Sequence, residues 1–261
     1  MTSPSPTRTA SQGQPYVIQG REVRLPVEVR DATAAVAYYL VPASAAQRLI
    51  AASGLRIAQL LPGRTVCTIG TMEYKDGDLG PYHEVAITFF VHEPGARTIP
   101  FAGTLLALAR GRLGVYIHQL PVNGEFTREA GCTIWGFPKF MSEISIAREG
   151  GVETAVLRVD GEHVLTQTMR TGGARSFAER AQVSYACRDG VTYRTPSAMS
   201  GEGVGARLGG ATLELGMHRI ADELRSLGLP KRALFSTYIG SMRGLFYAAE
   251  RLERAPAARS D

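Results

Sequence analysis

Val23, Leu25, Val27 and Val29 alternate with charged or small residues, the period-two signature of a half-buried strand. Ala34 to Val41 is a short apolar run of strand length. Residues 64–74 and 82–92 are two β-rich runs joined by Lys75-Asp76-Gly77-Asp78, and Asp-Gly is a strong tight-turn signal. Asp160-Gly161, Asp189-Gly190 and Gly150-Gly151 place the same signal between further β-rich runs. Frequent turns between short β-rich segments predict a mainly β, antiparallel body. Helical pattern is confined to Ser44–Ser53, Phe126–Ile134 and Arg219–Leu227, with Gly54 and Gly228 as stops for the first and last. No βαβ rhythm surrounds them, so a doubly wound sheet is not expected.

The ends differ in character from the middle. Residues 1–14 are rich in Ser, Thr and Pro, and 254–261 in Ala and Arg, so both read as loose tails around a single domain at 15–253. The first segment lacks the apolar core of a secretory signal. No apolar run reaches the roughly 18–20 residues that span a bilayer. A cytoplasmic protein with no membrane partner is the expectation. The formal charge is +5, carried mostly by scattered arginines with no interleaved aromatics, so no nucleic-acid partner is expected either.

Several familiar chemistries find no support. Cys67, Cys132 and Cys187 are far apart and odd in number, which fits neither a disulfide framework nor a zinc site. No histidine pair has helical metal-ligand spacing, and no metal is expected. Gly201-Glu-Gly-Val-Gly-Ala206 matches a dinucleotide fingerprint only formally, outside any βαβ unit, and reads as a flexible loop.

Thr133-Ile-Trp-Gly-Phe-Pro-Lys-Phe-Met-Ser-Glu-Ile144 is the segment with chemical content. The chain has three lysines, Lys75, Lys139 and Lys231, among 29 basic residues. Lys139 stands among Trp135, Phe137, Phe140 and Met141. Two readings are open. The stem can lie on apolar groups while the ammonium reaches water. Alternatively, burial disfavours the ammonium, lowers its pKa and yields a nucleophilic amine.

Gly136-Phe-Pro-Lys139 resembles the active-site segment of the acetoacetate decarboxylase family. Pro15 to Arg30 resembles that family's opening strand, Leu79-Gly-Pro-Tyr-His-Glu84 a segment holding a site glutamate, and Leu208 to Leu252 its closing strands. The resemblance implies a curved antiparallel β-barrel or cone with a few short helices, and a homo-oligomer. It implies that Lys139 forms a Schiff base with a small carbonyl or keto-acid substrate, with Glu84 positioning substrate or moving a proton and with no cofactor. Decarboxylation, aldolase–dehydratase chemistry and an inactive small-molecule binding module of the same fold all remain open.

The remaining site candidates follow from that frame. Trp135, Phe137 and Phe140 are expected to wall the pocket. Glu143 shares a face with Lys139 if the segment is extended. Tyr238, in a closing strand, can supply a phenol or pack in the core. The chain departs from the family's pattern where Phe140 replaces a second lysine. An ungapped match also sets Gly13 and Ile69 at an arginine and a second glutamate. Glu73, four residues beyond Ile69, is the candidate substitute for that glutamate.

Overall fold

The computed structural model describes residues 15–95, 102–109 and 113–252. The tails expected at 1–14 and 254–261 lie outside the described residues. β1 (Tyr16–Ile18) and β2 (Arg21–Val23) pair as a small hairpin. β3 (Val27–Pro42) leads through α1 (Ala43–Leu49) and one 3-10 turn (Ala51–Ser53) to β4 (Arg56–Ile57). β5 (Arg64–Gly77), β6 (Tyr82–His92), α2 (Ala102–Ala109), β7 (Gly114–Val122), α3 (Glu125–Trp135) and β8 (Lys139–Met141) follow. β9 (Glu143–Glu149), β10 (Val152–Val159), β11 (Glu162–Arg170), β12 (Arg175–Arg188), β13 (Val191–Leu208) and β14 (Ala211–Leu215) come next. The described chain ends with α4 (Arg219–Ser226), β15 (Phe235–Phe246) and β16 (Glu250–Leu252).

Seven strands close a barrel in the order β6-β5-β3-β15-β13-β12-β7, with β7 pairing back to β6. Closure removes the open edges that a sheet would otherwise expose. β14, β11, β10 and β9 form a second sheet. Strand alternation divides the side chains into two sets. On β6, Val85, Ile87, Phe89 and Val91 point outward into a core shared with Leu157, Leu165 and Leu213 of the second sheet and with Ile220 and Leu224 of α4. Tyr82, Glu84 and Thr88 of β6 instead line the space inside the barrel.

The three helical patterns are close to their observed ranges, and α2 is a further helix that the sequence pattern does not predict. The turns at Gly150-Gly151, Asp160-Gly161 and Asp189-Gly190 have positive φ at both residues, as the sequence predicts. Four expectations are corrected. The alternation from Val23 to Val29 is interrupted at Leu25-Pro26, between β2 and β3. Asp76-Gly77 stays in β5, and the positive φ falls later, at Gly80. Arg30 holds the Asp76 carboxylate, and a Cβ at Gly77 would lie 2.9 Å from the Glu28 carbonyl, so both residues are fixed against β3. The glycine-rich stretch 201–206 is not a loop but part of β13. Its glycines allow close approach: a Cβ at Gly201 would sit 2.5 Å from the Phe177 ring. Finally, the barrel is not wholly antiparallel, because β7 runs parallel to both β8 and β12. Parallel neighbours need a crossover connection, and α3 provides it between β7 and β8.

A charged clasp joins the barrel wall to the second sheet. Arg148 Nε donates to Glu153 Oε2 at 2.8 Å, and the same guanidinium bonds Glu73. Thr71 donates to the other Glu153 oxygen at 2.8 Å, and Glu153 is 2% exposed. Arg148→Ala would strand a buried carboxylate, at a cost of about 3–5 kcal/mol. Thermal unfolding is expected to show a Tm lower by on the order of 10 °C. Adding Glu153→Gln should recover part of that loss.

Candidate active site

The barrel encloses a cavity of about 140 Å³. That is close to the space one benzene-sized molecule fills. Val29, Met72, Ile117, Trp135, Phe137 and Phe246 supply much of its apolar wall. Lys139 and Glu84 both line it as a contacting pair, with Nζ 2.8 Å from Oε2 and side chains only 3% and 6% exposed.

The local chain explains how a lysine reaches this position. α3 ends at Gly136, whose φ of 66° is the left-handed cap that glycine adopts without strain. Tyr193 packs so tightly there that a Cβ would collide with its ring. The Lys139 N–H then donates to the Phe137 carbonyl at 2.8 Å across Pro138, a tight reversal that aims the following strand back at the helix. β8 adds alongside β7, with Lys139 in register with Leu120. Trp135 is pinned by its indole N–H, which donates to the Tyr247 carbonyl at 2.8 Å, and its ring stacks on Phe137 at 5.5 Å.

Gly131 is the helix residue that makes room. A Cβ there would stand 2.5 Å from Lys139 Cδ and 2.8 Å from Cε. Gly131→Ala favours the helix by about 1 kcal/mol yet displaces the lysine stem. The variant is expected to keep its far-UV circular dichroism while Lys139 loses about 10²-fold in carbonyl labelling rate.

Three further groups complete the arrangement. Nζ donates to Thr127 Oγ1 at 3.0 Å and lies 4.8 Å from the Tyr82 ring centroid. The Tyr74 hydroxyl donates to Glu84 Oε1 at 3.2 Å. Tyr74 and Tyr82, paired across β5 and β6, stack with centroids 4.3 Å apart. Burial pushes both phenols up, so they stay protonated and able to donate.

Electrostatics correct one expectation. Burial is the largest influence on Lys139 and pulls its pKa down, but Glu84 and then Tyr82 outweigh it, and the net direction is up. The resting amine is therefore an ammonium in a buried ion pair, not the free base that desolvation alone would give.

A family model described as Acetoacetate decarboxylase (ADC) matches residues 6–244. The chain belongs to the acetoacetate decarboxylase family. Solved structures agree on the fold. Acetoacetate decarboxylase from Legionella pneumophila subsp. pneumophila str. Philadelphia 1 is 15% identical with a TM-score of 0.61, over 89% of this chain and 91% of that one. The enduracididine biosynthesis enzyme MppR complexed with pyruvate is 15% identical with a TM-score of 0.58, over 88% and 92%. An acetoacetate decarboxylase-like enzyme from Sphingomonas wittichii RW1 is 15% identical with a TM-score of 0.53, over 90% and 96%. No curated protein matches the sequence. Within this family fold, identities so low speak to architecture alone.

The predicted site residues separate into two groups. Lys139, Glu84, Trp135 and Phe137 line one cavity. Phe140 does not; the next residue on a strand faces the other way, and it packs against the core outside the barrel. Tyr238 and Glu73 stand on the outer face of the barrel wall, near the Arg148 clasp rather than the cavity. Glu143 is exposed, because β8 ends at Met141 and Glu143 opens β9 in the second sheet opposite Arg158. Thr127, Tyr74, Tyr82 and Gly131 are the site neighbours that sequence reasoning missed. Tyr82 was within reach, since it lies two residues before Glu84 on the same strand face.

Proposed function

We propose that this protein is a Schiff-base-forming lyase acting through Lys139 on a small carbonyl substrate. The observation that carries the reading is a lysine amine buried in the apolar cavity of the barrel, 2.8 Å from the Glu84 carboxylate, in a chain of the acetoacetate decarboxylase family.

The ion pair provides a route to the free amine. A proton passes from Nζ to Glu84, and the nitrogen lone pair attacks the carbonyl carbon. The carbonyl oxygen takes up a proton from the attacking nitrogen, which gives a carbinolamine. Glu84 returns its proton to the departing hydroxyl, water leaves, and an iminium remains beside the restored carboxylate. The iminium draws electrons from an adjacent C–C or C–H bond, and water finally releases the product. Glu84 thus acts as base and then acid within one site. Tyr74 and Thr127 hold the two partners in place through the hydrogen bonds they share with them.

Borohydride tests the reading. Reduction in the presence of a reactive ketone or aldehyde is expected to leave a secondary amine on Lys139, located by peptide mass spectrometry. If Lys139→Ala takes up the same adduct, another residue is the nucleophile. A panel of carbonyls that labels nothing would instead leave a binding module.

A further inference from the structure

The charges around the cavity restrict what can enter it. Its exposed lining residues, Glu28 and Asp76, gather at one end with the exposed Asp78, which marks the mouth. Asp78 accepts the Glu28 backbone N–H at 2.9 Å, which fixes its carboxylate against β3 at this end. Lys75 beside them is matched by Asp31 at 3.7 Å, and Arg30 is the cation that pairs with the cluster, its guanidinium fully engaged. It bonds both Asp76 oxygens, at 2.9 and 2.8 Å, and Asp78 at 2.8 Å. Three carboxylates thus face one guanidinium whose donor edges are already taken, and the mouth is negative.

The interior shows the same bias. Among the described residues lining the cavity, Lys139 is the only cation, and Glu84 already matches it. Once Lys139 becomes an iminium, its single positive charge still belongs to Glu84. A substrate carboxylate would be a second anion in an apolar enclosure, with no guanidinium fork or ammonium among the described lining residues beyond Lys139 itself to receive it. The far end, about 13 Å along β6 from Glu84, carries Thr88, Gln182 and Ser184, which are neutral hydrogen-bonding groups.

We infer that the substrate is an uncharged aldehyde or ketone with an apolar body about the size of a benzene ring, rather than a keto acid. This deepens the Schiff-base reading and rests on it. The bond broken next to the iminium is then a C–H bond, or a C–C bond to a neutral aldehyde fragment, with the electron pair passing into the C=N system as an enamine. Carbon dioxide is not the leaving group.

Matched pairs of carbonyls test the inference: acetoacetate against butan-2-one, and phenylpyruvate against 1-phenylpropan-2-one. Each is incubated with the full chain and borohydride, and Lys139 modification is followed by mass spectrometry against time. The neutral member of each pair is expected to label at least about ten-fold faster, a difference of about 1.4 kcal/mol. Added salt should raise the rate for the acids by screening the mouth, and leave the neutral rates flat. Equal or faster labelling by the acids overturns the substrate class while leaving the Schiff-base lysine standing. No labelling by any member overturns the lysine assignment itself.

Discussion

Lys139→Ala is expected to abolish borohydride-dependent labelling and to destabilise the fold by about 3–5 kcal/mol. The two effects have different causes, and a second variant separates them. Loss of labelling follows because the amine is removed. Loss of stability follows because Glu84, 6% exposed at its side chain, is left without its partner at 2.8 Å. Replacing both members of a buried pair by uncharged groups of similar shape is often neutral or stabilising. Lys139→Met combined with Glu84→Gln should therefore regain most of the urea midpoint and still take no label. A double variant that remains as unstable as Lys139→Ala would mean that the lysine stem, packed on Gly131, contributes more than the charge pair does. The pH dependence has a definite sign. The folded pKa of Lys139 is raised, so the pair's contribution to stability is complete below the ordinary lysine range. It is lost as pH rises through the folded value, at the alkaline end.

The positions of Lys139 and Glu84 were legible in the sequence because each sits in a motif whose local geometry is short-range. The glycine cap, the aromatic-Pro-Lys turn and the strand after Leu79 need few distant contacts to be recognised. The barrel was legible for a similar reason, since β alternation and Asp-Gly turns are local signals. Long-range pairing was not. Glu73 and Tyr238 were candidates by strand parity and position, yet parity cannot say which face of a strand becomes the inside of a closed barrel. Glu143 required β8 to continue, and the chain instead leaves for the second sheet after Met141. Gly201–Ala206 reads as a loop in any single sequence, because glycines that admit a neighbouring strand look the same as glycines that turn. The ammonium state of Lys139 was hidden too. Desolvation can be read from apolar neighbours in the sequence, whereas the carboxylate that outweighs it comes from another strand.

Glu84→Gln is expected to produce the opposite of a simple loss: Lys139 labels faster near neutral pH while turnover falls about 10²- to 10⁴-fold. In the native site, Glu84 is the principal influence that raises the lysine's pKa against burial. Glutamine keeps the shape and a hydrogen-bonding oxygen but removes the charge. Burial then dominates, and the lysine pKa falls below its ordinary value. More of the amine is free at neutral pH, so attack on the carbonyl no longer depends on handing a proton to a neighbour, and solvent water supplies the proton that the carbinolamine hydroxyl needs to leave. The same shift limits the stability cost, because the lysine can neutralise instead of remaining an unpaired buried cation. Turnover behaves differently. The later steps need a group that gives and takes a proton beside the nitrogen, and an amide does neither. Labelling rate against pH in the variant should therefore show a titration displaced toward neutrality relative to the native protein. If Glu84→Gln slows labelling and leaves its pH profile unmoved, Glu84 would be holding the lysine in position rather than setting its charge.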